Sequence, residues 1–164
     1  VVNRTFGRLQ IISSTWFALT HGANDGQKTM GIIVLILFSA DLISEIHMPL
    51  WVILAAASAM SLGTFFGGYK VIKTLGLRIT RLKPYQGFAA ETGGGIMLAA
   101  FAILGIPAST THAITGSVMG AGAARRIRAV RWKVSRQIIF SWVITIPGAA
   151  GLAIAFTYII HLFV

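Results

Sequence analysis

Long uncharged stretches alternate with short charged segments along this chain of 164 residues. A helix crosses the hydrocarbon core of a bilayer with about 20 mostly apolar residues. Three stretches contain no Asp, Glu, Lys or Arg, and a fourth contains Glu91 alone. Together with a longer first region, they predict an all-α polytopic membrane protein with about five crossings, at approximately residues 9–40, 49–69, 86–106, 107–124 and 137–161.

The first predicted span is interrupted near its middle by the polar segment 20–28, THGANDGQK. Two glycines flank the turn-prone Asn24 and Asp25, so we expect the helix to be unwound here. At membrane depth, irregular backbone is tolerated only where it is buried in protein or lines a cavity. A carboxylate such as Asp25 also costs a few kcal/mol there unless it is paired or functional. The alternative is a helix end whose polar residues lie in the headgroup layer.

A second break is predicted at residues 105–112, GIPASTTH. Glycine followed by proline ends one helix and begins another, with Pro107 expected in the first turn of the new helix. Ser109, Thr110 and Thr111 would then lie at a helix N-terminus, where free amides and the helix dipole attract anions. The alternative is an ordinary hairpin in which the hydroxyl groups only cap the helix.

Two further features of the helices can have either a structural or a functional role. Glu91 is the only carboxylate of the third span. It is either an interfacial residue or a cation or proton site beside the two breaks. Glycines four residues apart, Gly63 with Gly67 and Gly116 with Gly120, are typical of closely packed membrane helices.

Composition and charge agree with a membrane location. The chain is 55% hydrophobic and 11% charged, with a net charge of +10, whereas soluble domains are about 25% charged. Basic residues cluster at 70–83 and 125–136, which predicts that these loops are cytoplasmic and can touch anionic lipid. The loop 41–48 has no Lys or Arg and is expected outside. We therefore predict a single transmembrane domain, residues 1–164, in the cytoplasmic membrane, with the N-terminus inside and the C-terminus outside.

The odd number of crossings predicts how two such units would combine in one chain. Two homologous halves with five crossings each, joined in one chain, must lie in opposite orientations, as in inverted-repeat transporters with a site near the midplane. The motifs occur once in this chain. We therefore expect a partner, either another half that lies elsewhere or a second copy in a homo-oligomer. No soluble domain is available for binding nucleic acid, which excludes that class of partner.

Three segments resemble the PiT family of inorganic phosphate transporters. Residues 22–31, GANDGQKTMG, are similar to one family signature. Residues 107–112, PASTTH, resemble the second signature, in which valine is more usual than Ala108. Residues 91–94, ETGG, resemble the family segment before that second signature. The resemblance extends over nearly the whole chain and is best to the C-terminal half of bacterial low-affinity members, which implies that the partner is a missing N-terminal half.

The resemblance implies symport of inorganic phosphate with a proton, with sodium, or as a metal–phosphate complex, with no resident cofactor, no assigned metal site and no enzymatic activity. By matching position, Ser109, Thr110, Thr111 and Asn24 would bind phosphate. Cation or proton coupling would involve Asp25, Asn24 and Glu91.

The sequence leaves three alternatives open. The substrate could be another tetrahedral oxyanion such as sulfate, or the chain could be a channel or a non-transporting membrane subunit. A membrane enzyme would need a metal site, for which His21, Asp25 and His112 are conceivable ligands. The chain has no cysteine, which excludes Cys-ligated zinc and thiol catalysis.

Overall fold

The computed structural model describes residues 2–73 and 78–162, which are helical with short connections and contain no strand. The described residues form five α-helices and one short 3₁₀ helix. Their bounds are α1 Val2–Ser39, α2 Leu50–Lys73, α3 Pro84–Ile103, α4 Thr110–Ala123, the 3₁₀ helix Ile127–Ala129, and α5 Trp132–His161.

Helix α1 is continuous over 38 residues, so the predicted unwinding of segment 20–28 is wrong. The polar side chains of this segment find partners without leaving the helix. Asp25 pairs with His21 one turn before it and with Lys28 one turn after it. Asn24 donates to the carbonyl of Thr20 on the same helix. Each glycine costs only about 1 kcal/mol relative to alanine, which these contacts and the packing of α1 offset.

Helices α1 and α3 lie side by side and run in the same direction. The ring of Phe6, near the start of α1, packs edge-on against Phe88 near the start of α3, with centroids 5.7 Å apart. Farther along both helices, Asn24 of α1 donates to the carbonyl of Leu98 of α3. Parallel helices agree with the prediction that the first and third spans cross in the same sense. Their orientation relative to the membrane stays a prediction.

The close approach of α1 and α3 depends on glycines of α3. A Cβ atom added at Gly95 would lie 2.7 Å from Cδ1 of Trp16, and one added at Gly94 would lie 3.1 Å from Cε2 of Phe17. The glycines that were predicted to pack do not do so in the described part of the chain. Apart from the nearby backbone of its own helix, no atom lies within 4 Å of a Cβ built at any of them, namely Gly63, Gly67, Gly116 and Gly120.

The second predicted break is present as a non-helical link, residues 104–109, between α3 and α4. Gly105 has a φ of 67°, a conformation that glycine adopts without steric cost. The new helix begins at Thr110 with Ser109 as its N-cap, so Pro107 lies in the link and not in the first turn. Helix α4 then runs back along α3. With 14 residues it is roughly 21 Å long, less than the roughly 30 Å of a bilayer core.

The two basic loops meet at one end of the molecule. The amide of Arg131 donates to the carbonyl of Ile79, at 2.8 Å. Ile79 and Val130 are buried in one apolar cluster with Ala90 of α3 and Val118 of α4. This packing holds residues 78–83 against residues 127–131, so the exposed basic side chains of both loops lie at the same end.

Two of the described helices are long and apolar enough to cross a membrane, by length and composition: Leu50–Tyr69 within α2, and α5. The second half of α5 is exposed along its whole length, and its first half touches the remaining helices near Trp142, whose ring centroid lies 3.8 Å from that of His112. Such apolar exposure is typical of a surface that faces lipid or another subunit. The bounds of the five predicted crossings stay a prediction.

Candidate functional site

The candidate site lies where α1 meets the N-terminus of α4. The hydroxyl of Thr110 donates a hydrogen bond to Oδ2 of Asp25, at 3.0 Å. These residues are 85 positions apart in the chain. Thr110 is buried, and Asp25 is half-buried. The structure thus brings together one residue from each of the two polar motifs.

Both carboxylate oxygens of Asp25 have partners. Lys28 donates to Oδ1 at 2.8 Å, and Nε2 of His21 lies 3.1 Å from Oδ2. Lys28 also donates to the carbonyl of Ala108 in the link between α3 and α4. Lys28 is a residue of the site that was not predicted from the sequence. Its spacing of three residues from Asp25 was the available signal, because residues three apart are neighbours on a helix.

The N-terminus of α4 presents hydroxyl groups in a row. The Oγ of Ser109 accepts a hydrogen bond from the amide of His112, at 3.3 Å, which is the bond of an N-cap residue. Thr111 is exposed beside it. The other amides of the first turn have no partner within the helix, and the helix dipole adds partial positive charge at this end. The three predicted phosphate-binding hydroxyls of α4 therefore lie together.

Asn24 is next to Asp25 in sequence, but its side chain turns towards α3. It is 3% exposed. Its Nδ2 group donates to the carbonyl of Leu98 at 2.8 Å and to that of Thr20 at 3.2 Å. Both amide hydrogens are therefore used in joining α1 to α3 and in bonding within α1.

Glu91 lies apart from this site, which differs from the expectation of a cation site beside the two breaks. Its Oε2 accepts a hydrogen bond from the hydroxyl of Ser13 at 2.5 Å, and Nε2 of Gln10 lies 3.5 Å from Oε1. Ser13 precedes Asp25 by twelve residues on α1, so the two carboxylates are separated by roughly 18 Å along the helix axis. Buried Ser13 and half-buried Glu91 form a second polar cluster between α1 and α3.

Two cavities border the site. One, of about 600 Å³, lies between α1, α2 and α4, and its lining includes His21, Thr64, Thr110 and Thr111. The other, of about 230 Å³, lies beside the link, and its lining includes Asn24, Lys28, Gly105 and Pro107. The site is thus open on the side of α2 and on the side of the link.

The residues considered as metal ligands do not come together. His112 packs against Trp142, while His21 faces Asp25. Among residues 2–73 and 78–162 there is no group of three His, Asp or Glu side chains placed to hold a metal ion. The geometry therefore gives no support to the alternative of a metal-dependent membrane enzyme.

Comparison with known proteins agrees with the features described above. A relative from Rhizobium meliloti, described as a probable low-affinity inorganic phosphate transporter, is 53% identical over 91% of this chain and 45% of its own length. A Bacillus subtilis relative with the same description is 38% identical over 98% of this chain and 48% of its own length. The chain spans about half the length of these curated relatives.

A solved structure of a sodium-dependent phosphate transporter superimposes with a TM-score of 0.77 at 34% identity, covering 89% of this chain and 37% of that one. The likeness confirms the predicted class of helical membrane transporter. The phosphate transporter family PHO4 matches residues 1–153. The chain therefore belongs to the phosphate transporter family, which is a family of transporters and not of enzymes.

Proposed function

We propose that this chain forms one half of a cation-coupled symporter of inorganic phosphate in the cytoplasmic membrane. The main supporting observation is the hydrogen bond between Thr110 and Asp25. It joins the two polar motifs at a helix N-terminus that is suited to an anion. Family membership and the descriptions of the relatives support phosphate as that anion.

In this proposal, phosphate binds at the N-terminus of α4. Ser109 and Thr111 are exposed there, and their hydroxyl groups donate to phosphate oxygens together with free amides of the first turn. Thr110 links this anion site to Asp25. Asn24 contributes by holding α1 against α3, so that Asp25 stays opposite Thr110.

A second half completes the site. The cavity of about 600 Å³ between α1, α2 and α4 is open, and the exposed apolar surface of α5 is available for lipid or another subunit. We propose that an inverted partner half, or a second copy of this chain in a homo-oligomer, closes the cavity. The substrate then lies between two halves near the midplane, as in other inverted-repeat transporters.

Coupling to a cation follows from the charge of the substrate. Phosphate at neutral pH is an anion, so its entry moves negative charge into the cell. A negative membrane potential opposes entry by about 2.3 kcal/mol per charge per 100 mV. A co-transported proton, sodium ion or phosphate-bound divalent metal removes that opposition. Glu91 of α3, with its partners Ser13 and Gln10 of α1, is a position between these two helices at which a cation or proton can bind.

The test is uptake of radiolabelled phosphate into proteoliposomes that contain this chain together with the part of the Rhizobium meliloti relative that it does not cover. We expect uptake only when both parts are present and a cation gradient is imposed. The Asp25→Asn variant should lose coupled uptake. Asp41→Asn is the matched control, because Asp41 is exposed in the loop after α1 and has a φ of 55°, which asparagine also tolerates.

Full coupled uptake by Asp25→Asn would contradict the role of this carboxylate. Competition by unlabelled sulfate as effective as that by unlabelled phosphate would make another oxyanion the substrate. Uptake without any cation gradient, at a rate that saturates weakly, would point to a channel. Uptake by this chain alone would mean that two copies build the whole site.

A further inference from the structure

The ammonium group of Lys28 has an unusual pair of partners. It donates to Oδ1 of Asp25 at 2.8 Å and to the main-chain carbonyl of Ala108 in the non-helical link. Its side chain is 32% exposed, so the group is half-buried. An ordinary surface ion pair between residues three apart would involve one helix only. Here the second acceptor, the carbonyl of Ala108, comes from a segment 80 positions away.

These two acceptors are the kinds of oxygen that coordinate alkali cations in transporters. A carboxylate and a carbonyl from an unwound segment are typical sodium ligands at the midplane, and hard cations prefer oxygen ligands in general. A cation between Asp25 and Ala108 would therefore have suitable ligands. In this chain the place between them is taken by a side chain that is already positively charged.

We propose that Lys28 is a tethered cation that occupies this place, so that this half of the transporter does not bind sodium at Asp25. The inference rests on the proposed function, since it names the ion that the same site excludes. The observation that supports it is that the ammonium group of Lys28 contacts both Asp25 and Ala108.

The charges of the site agree with this assignment. The chain has four acidic residues in all, and Asp25 is the one at this site. Its Oδ1 accepts from Lys28, while its Oδ2 accepts from Thr110 and faces His21. The carboxylate and the ammonium cancel, so a phosphate ion at the N-terminus of α4 meets a neutral pair. A sodium ion would have to displace the ammonium from both of its acceptors.

The experiment measures sodium binding directly. The purified chain in detergent is incubated with radiolabelled sodium, and bound label that excess unlabelled sodium displaces is counted, at total sodium up to about 0.15 M. We expect no saturable binding to the native chain. The Lys28→Met variant keeps much of the side-chain length but removes the charge, and it should gain saturable binding, with at least about tenfold more displaceable label.

Two further variants locate the bound ion. Adding Asp25→Asn to Lys28→Met should abolish the gained binding, because it removes the carboxylate ligand. Lys133→Met is the matched control, since Lys133 is an exposed lysine in the first turn of α5, and it should bind no sodium. Size-exclusion profiles and helical circular dichroism show whether each variant keeps its fold. Lys28→Gln replaces Lys28→Met if the latter does not.

Saturable sodium binding to the native chain that Asp25→Asn removes would overturn the inference. So would the absence of sodium binding in folded Lys28→Met or, where only the replacement folds, in Lys28→Gln. Both outcomes are separate from the proposed function, which fails only if the reconstituted halves take up no phosphate. Phosphate uptake by the reconstituted halves together with sodium binding at native Asp25 would leave the proposed function intact and refute the tethered cation alone.

Discussion

Replacing Asn24 by alanine tests whether this residue holds two helices together or binds the substrate directly. Asn24 is 3% exposed, and its amide donates to Leu98 of α3 and to Thr20 of α1. A net hydrogen bond contributes about 0.5–1.5 kcal/mol, and bonds between membrane helices average about 0.6 kcal/mol. Asn24→Ala loses both bonds and leaves a small void, so we expect a loss of about 1–3 kcal/mol in the free energy of unfolding.

The assay is unfolding of the detergent-solubilised chain in increasing dodecyl sulfate, followed by the fluorescence of its four tryptophans. A change of 1.4 kcal/mol alters the folding equilibrium about tenfold, which moves the midpoint measurably. Gln27→Ala is the matched control, since Gln27 is an exposed amide residue on the same helix. It should unfold as the native chain does.

Equal midpoints for Asn24→Ala and Gln27→Ala would refute the argument that Asn24 holds α1 against α3. If phosphate uptake by the reconstituted halves were then also lost, Asn24 would act directly on the substrate or its cation. A lowered midpoint, with uptake that falls only in proportion to the folded fraction, is the result that the structure predicts.

Three further predictions use other parts of the molecule. Thr110→Val keeps the shape but removes the donor to Asp25, so uptake by the reconstituted halves should fall about tenfold, and Thr110→Ser should restore it. Gly94→Ala places a methyl group against α1 and α4 and should lower the free energy of unfolding by about 1–3 kcal/mol; an unchanged dodecyl sulfate midpoint would contradict this packing. Because the chain has no cysteine, the single variants Arg128→Cys and Glu45→Cys report the side of the membrane on which each loop lies. An impermeant maleimide added outside cells should label the Glu45→Cys variant only. Labelling of both would overturn the predicted orientation.

The helices were predictable because their lengths and their ends are encoded locally. Uncharged stretches of about 20 residues predict membrane helices without knowledge of their neighbours. The break between α3 and α4 was predictable for the same reason, since Gly105, Pro107 and Ser109 are local signals for a helix end and a helix start. The structure confirms the break, shows Ser109 as the N-cap, and shifts the start of α4 to Thr110.

The predicted unwinding of α1 was wrong because some of the contacts that keep this segment helical come from residues far away in the sequence. The sequence shows a cluster of glycines and polar side chains in an apolar span. Considered without its tertiary contacts, this cluster disfavours a helix. The sequence does not show the carbonyls of Leu98 and Ala108, which accept from Asn24 and Lys28. The same limit applies to the glycines. Their spacing marks candidates for packing, but only the helix arrangement decides that Gly94 and Gly95 face α1.

The structure alters the mechanism expected from the sequence most strongly through the charge balance of the site. From sequence alone, the carboxylate of Asp25 needs a mobile cation before phosphate can approach, because like charges repel strongly in a low-dielectric site. The structure adds a fixed cation, Lys28, on the same helix. The pair is only partly exposed, so solvent screens it less than it screens a surface ion pair. A coupling cation is then needed to offset the membrane potential and not to neutralise Asp25, and a proton at the Glu91 cluster or a metal bound to phosphate could meet that need equally well.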